Sequence, residues 1–150
     1  MSSDKTTIYN DLYPQIKSLL ANNLFISNLS TFVAVIYNEL AFFWVGIYLL
    51  RDQRLIVGPY QGPVACIELP YNKGVCWHAI RENKTVIVPD VNKFKDHISC
   101  NSRSKSEIVI PIRNADNNII GVLDIDSDKL NDFNETDRYY LEKYVELLKL

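Results

Sequence analysis

Apolar residues recur at helical spacing in the first forty residues of the chain. The repeat predicts two amphipathic helices, because side chains three or four positions apart share one face of a helix. Pro14 lies inside the first repeat and predicts that the regular helix either begins near it or kinks there. The apolar positions are Ile8, Leu12, Ile16, Leu19 and Leu20 in the first helix, and Ile26, Leu29, Val33, Ile36 and Leu40 in the second. Each helix therefore has one face to bury.

The pattern then changes to that of β-strands. Residues 42–50 and 55–60 flank the polar turn 51–54 and predict a hairpin. A short strand is predicted from Cys66 to Leu69, and further strands at residues 85–88, 106–112 and 119–125, with a short helix at 73–81 entered through Gly74. Residues 89–105 form the one long irregular segment, and such segments often carry function.

The chain is predicted to end in a helix. Asn134 is a suitable N-cap with Asp137 three residues later, and Leu141, Tyr144, Val145 and Leu148 supply the apolar face. Helices at both ends of about six strands predict an α+β fold with a central antiparallel sheet and the N- and C-terminal helices packed on one side. The other side of the sheet is then free to hold a pocket.

Length and charge narrow the class of protein. The 150 residues, 47% of them hydrophobic, are expected to form one domain spanning residues 1–150 with a sizeable core. The formal charge of -2 and the scattered basic residues indicate no nucleic-acid partner. The polar N-terminus lacks the features of a signal peptide, and no apolar run approaches the roughly 20 residues needed to cross a bilayer. We expect a cytoplasmic protein without a membrane partner.

Three cysteines are the residues most suggestive of chemistry. Cys66, Cys76 and Cys100 are too far apart for a paired zinc or thioredoxin-type motif, although a zinc site with His78 or His97 has the right ligand types. An odd number of cysteines in a reducing cytosol is not a set of structural disulfides. We therefore favour redox thiol chemistry.

The residues around each cysteine leave the attacking thiol undecided. Cys100 lies in the long irregular segment with His97, Lys93, Lys95, Arg103 and Lys105, a cationic environment that favours a thiolate. Cys76 competes, because the N-terminus of a predicted helix, Lys73 and His78 would each lower its pKa. Cys66 opens a predicted strand without a cationic neighbour and suits a resolving role.

Three acidic residues and two aromatic residues are candidates for a binding site. Asp124 and Asp126 alternate along one strand and must leave the same face, and Glu107 begins the neighbouring strand. A carboxylate cluster could grip an ammonium group or hold an acid of raised pKa, whereas the ordinary alternative is a solvated face. Trp44 and Tyr48 share one face of their strand and fit either the core or the aromatic wall of a pocket.

Together these residues resemble a known family, the free methionine-(R)-sulfoxide reductases, which have the GAF fold. The similarity runs from about residue 42 to the C-terminus in the same order and spacing. The matching segments are Trp44-Val-Gly-Ile-Tyr48, Gly58-Pro-Tyr-Gln-Gly62, Ala65-Cys66, Lys73-Gly-Val-Cys76, His97-Ile-Ser-Cys100, residues 104–112 and residues 120–127. Trp77 departs from the pattern, since many members have glycine after the Gly-Val-Cys motif.

The resemblance implies a role for each candidate residue. Cys100 would attack the sulfoxide, Cys66 would be the usual resolving partner, and Cys76 would take part in resolution. The substrate would be contacted by Trp44, Tyr48, Glu107, Asp124 and Asp126. Of the three carboxyl groups we favour Asp124 as the proton donor, which would make it a catalytic residue as well.

The resemblance also implies a reaction and its partners. Free methionine-(R)-sulfoxide would be reduced to methionine through a cysteine sulfenic acid and an intramolecular disulfide, which thioredoxin or an equivalent dithiol would reduce. No metal or organic cofactor is expected, and a homodimer is left open. The alternative is a GAF-type small-molecule-sensing module without catalysis; only part of the cyclic-nucleotide signature, Asn92-Lys-Phe94, is present.

Overall fold

A six-stranded antiparallel sheet organises the chain, in a computed structural model that describes residues 4–148 and 150. The strands lie in the order β3-β2-β1-β6-β5-β4, so that β1 and β6 occupy the centre. The elements are α1 (Lys5–Leu19), α2 (Phe25–Leu40), β1 (Trp44–Arg51), β2 (Arg54–Gln61), β3 (Glu68–Leu69), α3 (Gly74–Glu82), β4 (Val86–Val88), β5 (Ser106–Arg113), β6 (Ile119–Ser127) and α4 (Glu135–Val145). The predicted α+β class and the GAF-type sheet are confirmed.

One face of the sheet packs against α1, α2 and α4. Alternate residues of the central strands, such as Val45, Ile47, Leu123 and Ile125, meet the apolar faces of these helices in one buried cluster. Because strand side chains alternate, the residues between them face the opposite side, where α3 and the long segment 89–105 lie. The terminal helices thus share one side, as predicted.

Local signals set most of the element boundaries. Asn134 and Asp137 form a reciprocal capping box at the start of α4, which confirms the prediction there. Asp4 caps α1, and that helix begins at Lys5 and continues through Pro14, so the proline does not mark its start. Within residues 4–148 and 150, no helix is both long and apolar enough to cross a membrane.

Three details of the sequence prediction are wrong. The strand predicted from Cys66 covers only β3, because Leu55 and Ile56 of β2 pair with Leu69 and Glu68 and the pairing stops there. Leu19 and Ile26 were predicted to lie on the apolar faces of the first two helices, but both are exposed. The buried core on that side of the sheet includes Tyr9 and Phe32. Cys66 therefore lies in an irregular segment between β2 and β3.

Candidate active site

The register of the central strands gathers three carboxyl groups on the sheet face opposite the terminal helices. Glu107 of β5 pairs directly with Asp126 of β6, and Asp124 lies two residues further along the same face. Glu107 and Asp124 are buried and Asp126 is half-buried. The predicted three-carboxylate cluster is confirmed, and its solvated alternative is wrong.

Burial raises the pKa of all three carboxyl groups and so favours their protonated forms. It raises the pKa of Glu107 to about 8, with a further rise caused by the Asp126 charge. Burial and then the Glu107 charge raise the pKa of Asp124 well above its usual range, and burial does the same to Asp126. A hydrogen bond between Asp124 and Glu107 lets the two buried carboxyl groups share a proton.

Cys76 completes the buried cluster. The Cys76 sulfur and carboxylate oxygens of Glu107 and Asp124 all lie within 4.8 Å of one another. Burial, followed by the charges of the carboxylates, raises the pKa of the Cys76 thiol well above its usual range. The expectation that Lys73, His78 and the helix N-terminus would lower this pKa is wrong, because dehydration beside acidic groups outweighs them.

An aromatic wall stands beside the carboxyl groups. The Trp44 ring stacks on Tyr48 at 6.0 Å and on Tyr60 at 5.5 Å between ring centroids. A Cβ atom on Gly46 would overlap the Trp44 ring, so glycine is required at this position. Sequence reasoning missed Gly46 and Tyr60, although a glycine between two aromatic residues of a central strand is a signal of such close approach.

Hydrogen bonds fasten this wall to the segment that carries Cys66. Trp44 Nε1 donates to Pro63 O at 3.0 Å, and Tyr48 Oη donates to Cys66 O at 3.0 Å. The Tyr48 pKa is raised by burial and then by the Asp124 charge, which keeps its hydroxyl protonated as a donor.

A disulfide joins Cys66 to Cys100, with their Cα atoms 5.5 Å apart. It connects two irregular segments over the mouth of the pocket, and Cys100 and Cys76 both line the cavity below. Cys76 remains a free, buried thiol. The zinc set of three cysteines and a histidine is therefore not assembled here; the residues that could hold a metal are Cys76, Glu107 and Asp124.

His97 is a pocket residue whose position was not predicted. Its Nε2 atom lies 3.7 Å from Glu107 Oε2, and burial lowers its pKa, which favours the neutral ring. Arg103 Nη2 lies 3.7 Å from Asp128 Oδ2, and Arg103 Cζ lies over the Phe43 ring, 4.7 Å from its centroid. The cationic environment expected for Cys100 is thus weaker than the sequence indicates.

The cavity encloses about 50 Å³, which is room for a few water molecules. The predicted catalytic and substrate-binding residues that line it are Trp44, Tyr48, Cys76, Cys100, Glu107, Asp124 and Asp126, whereas Cys66 does not line it. Further lining residues, which the sequence analysis did not select as site residues, include Phe43, Pro63, Val64, Ala65, Ile98 and Ser104. The site combines a dithiol pair, buried proton donors and an aromatic wall.

Comparisons with known proteins agree on one family. A family model described as "GAF domain" matches residues 27–149. A GAF domain-containing protein A from Dictyostelium discoideum is 49% identical over 142 residues, covering 93% of this chain and 89% of that protein. A free methionine-R-sulfoxide reductase from Escherichia coli is 39% identical over 148 residues, covering 97% of this chain and 89% of that protein.

A solved structure shows the same similarity in three dimensions. The free methionine-R-sulfoxide reductase from Neisseria meningitidis, in complex with its substrate, superimposes with a TM-score of 0.94 at 41% sequence identity. The match covers 99% of this chain and 90% of that chain.

Proposed function

We propose that this chain, which belongs to the free methionine-(R)-sulfoxide reductases of the GAF family, uses Cys100 to attack its substrate and Cys66 to resolve the product. The activity is the reduction of free methionine-(R)-sulfoxide to methionine. One observation supports the assignment of the thiols: Cys66 and Cys100 form a disulfide, and of the two only Cys100 lines the pocket that contains the buried proton donors.

The proposed reaction begins when the Cys100 thiolate attacks the sulfoxide sulfur. An S–S bond forms as Asp124 protonates the sulfoxide oxygen. The resulting hydroxyl passes to the Cys100 sulfur as the S–S and sulfoxide S–O bonds break, so methionine leaves and Cys100 becomes a sulfenic acid. The raised pKa of Asp124 and its hydrogen bond to Glu107 support this role, because a general acid must carry a proton near neutral pH.

Resolution follows at the surface of the pocket. Cys66 attacks the sulfenic sulfur of Cys100, water leaves, and the disulfide forms. An external dithiol, with thioredoxin as the expected donor, then reduces the disulfide. For Cys76, which is buried close to Glu107 and Asp124, we propose a secondary part in resolution.

Recognition of the free amino acid would rest on the acidic residues. We propose that Glu107, Asp124 and Asp126 surround the ammonium group and the sulfoxide, while Trp44 and Tyr48 pack against the thioether chain. A methionine sulfoxide residue within a peptide has a neutral amide in place of the ammonium group, so it cannot form an ion pair with these acidic residues.

The test measures methionine formed from free methionine-(R)-sulfoxide and from its N-acetyl derivative, with dithiothreitol as reductant. We expect the free compound to react at least roughly a hundredfold faster, because loss of a buried ion pair costs several kcal/mol. The Cys100→Ser protein is the control for uncatalysed reduction. Equal rates on both compounds would overturn the pocket assignments, and no methionine from either would overturn the activity.

A further inference from the structure

The two most exposed large apolar side chains in the described part of the chain both flank Cys66. Val64 is 82% exposed and Ile67 is 75% exposed. Exposed aliphatic side chains contribute nothing to folding through burial. Beside the Cys66–Cys100 disulfide, they form an exposed apolar surface next to the bond that a reductant must reach.

The backbone holds these two side chains in a defined position. Around them, Pro63 O accepts from Trp44 Nε1 and Cys66 O accepts from Tyr48 Oη, each at 3.0 Å. Ile67 O accepts from Val57 N at 2.8 Å. An anchored segment presents its side chains without the entropic cost of ordering them on contact.

The other partner of the disulfide lies on a basic segment. Cys100 is exposed, and residues 89–105 contain Lys93, Lys95, Arg103 and Lys105 against Asp90 and Asp96. Because Asp128 lies 3.7 Å from Arg103, the formal balance of these groups is +1 in a chain of formal charge -2. A partner with acidic surface would be attracted to this segment.

We infer that Val64 and Ile67 form the docking surface for the protein dithiol that reduces the Cys66–Cys100 disulfide, a partner whose attacking thiol lies in an apolar surface with acidic residues around it. The inference rests on the proposed recycling of this disulfide by an external dithiol. A thiolate must approach along the S–S bond, so the reductant's surface has to cover the residues beside the two cysteines.

The reduction conserves atoms and electrons. One thiolate of the reductant bonds to one sulfur of the pair, and the other sulfur leaves as a thiolate. The second thiol of the reductant, once deprotonated, attacks the mixed disulfide and releases the remaining cysteine. The reductant becomes a disulfide, and the protein gains two electrons.

The test follows reduction of the isolated, fully oxidised protein by reduced thioredoxin or by dithiothreitol, with quantification of free thiols over time and without any sulfoxide. Ile67→Ser should slow reduction by thioredoxin roughly fivefold, as expected for one lost apolar contact. Reduction by dithiothreitol should not change, because a small dithiol needs no docking surface.

Ile26→Ser is the matched control, since Ile26 is 60% exposed on α2, on the opposite side of the sheet. It should behave as the parent with both reductants. An unchanged rate with thioredoxin in Ile67→Ser, an equal loss with dithiothreitol, or an equal loss in Ile26→Ser would each overturn the docking surface. Because the assay starts from the disulfide, a failure of catalysis would appear separately, in methionine formation.

Discussion

Two buried aspartates on opposite sides of the sheet have opposite surroundings. Asp137, in the first turn of α4, accepts hydrogen bonds from Lys5 Nζ at 3.0 Å, Tyr9 Oη at 2.7 Å and Asn134 N at 2.8 Å. Asp124, on the pocket side, faces Glu107 and Cys76, and its Oδ1 atom has no hydrogen-bond partner among residues 4–148 and 150. The first is surrounded by donors, and the second by other acids.

This difference separates stability from chemistry. A buried carboxylate with a full set of donors holds elements together, here α1 and α4. A buried carboxyl group without a cation keeps its proton and can give it to a substrate. We therefore expect substitutions on the pocket side to change turnover and those on the helix side to change the free energy of unfolding.

The largest effect is expected at the attacking thiol. Cys100→Ser should abolish turnover, because no other group performs the attack, and Cys66→Ser should still release about one methionine per molecule without reductant, because it acts only afterwards. Single-turnover measurement of methionine distinguishes the two. A burst in Cys100→Ser would reassign the nucleophile, and a loss in Cys76→Ser as complete as that in Cys100→Ser would make Cys76 the candidate.

Asp124→Asn should lower the turnover number roughly a hundredfold, within the usual range for loss of a general acid. Its free energy of unfolding should be unchanged or higher, because the variant removes an ionisable group from a dry site. Steady-state kinetics and urea denaturation measure the two quantities. Full activity in the variant would move the proton donor to another group, with Glu107→Gln as the next to test.

Asp137→Asn is the matched substitution on the helix side. We expect it to lower the free energy of unfolding by about 2 kcal/mol, because the new amide group turns a donor towards a donor and the charge opposite Lys5 is lost. The turnover number per folded molecule should stay that of the parent. If Asp137→Asn lost activity without losing stability, the contrast between the two aspartates would be wrong.

The last expectation concerns the pH dependence of stability. The pKa of Glu107 is raised from 4.5 to about 8 in the folded protein, so the folded state holds a proton that the unfolded state releases. The free energy of unfolding should therefore fall as pH rises from about 4.5 to 8, by at most about 1.4 kcal/mol per pH unit from this group. Glu107→Gln removes the contribution of this group, so its free energy of unfolding, measured by urea denaturation, should fall less than that of the parent between these pH values. The same pH dependence in both proteins would contradict the raised pKa of Glu107.

The alternation of side chains made much of the pocket predictable. Asp124 and Asp126 had to share a face, and Glu107 could join them once its strand lay next to theirs. The residues next to Cys76 in the sequence, by contrast, predicted a lowered pKa, whereas its pKa is raised. The carboxylates responsible come from strands about thirty and fifty residues later in the sequence. The strand predicted at Cys66 failed for a similar reason, since pairing with β2 limits its length.

By itself, the sequence determined the helices, the main strands, the N-cap of α4 and the face on which each strand residue lies, because these depend on neighbours within a few positions. It also carried the resemblance that pointed to the family and its reaction. The resemblance also implied the pairing of Cys66 with Cys100, which the disulfide bears out. Only the tertiary structure decided that Cys76 lies among acids and that His97 approaches Glu107. Those outcomes depend on burial and on contacts between segments distant in the chain, and burial sets the protonation of a group more strongly than its neighbours in sequence do.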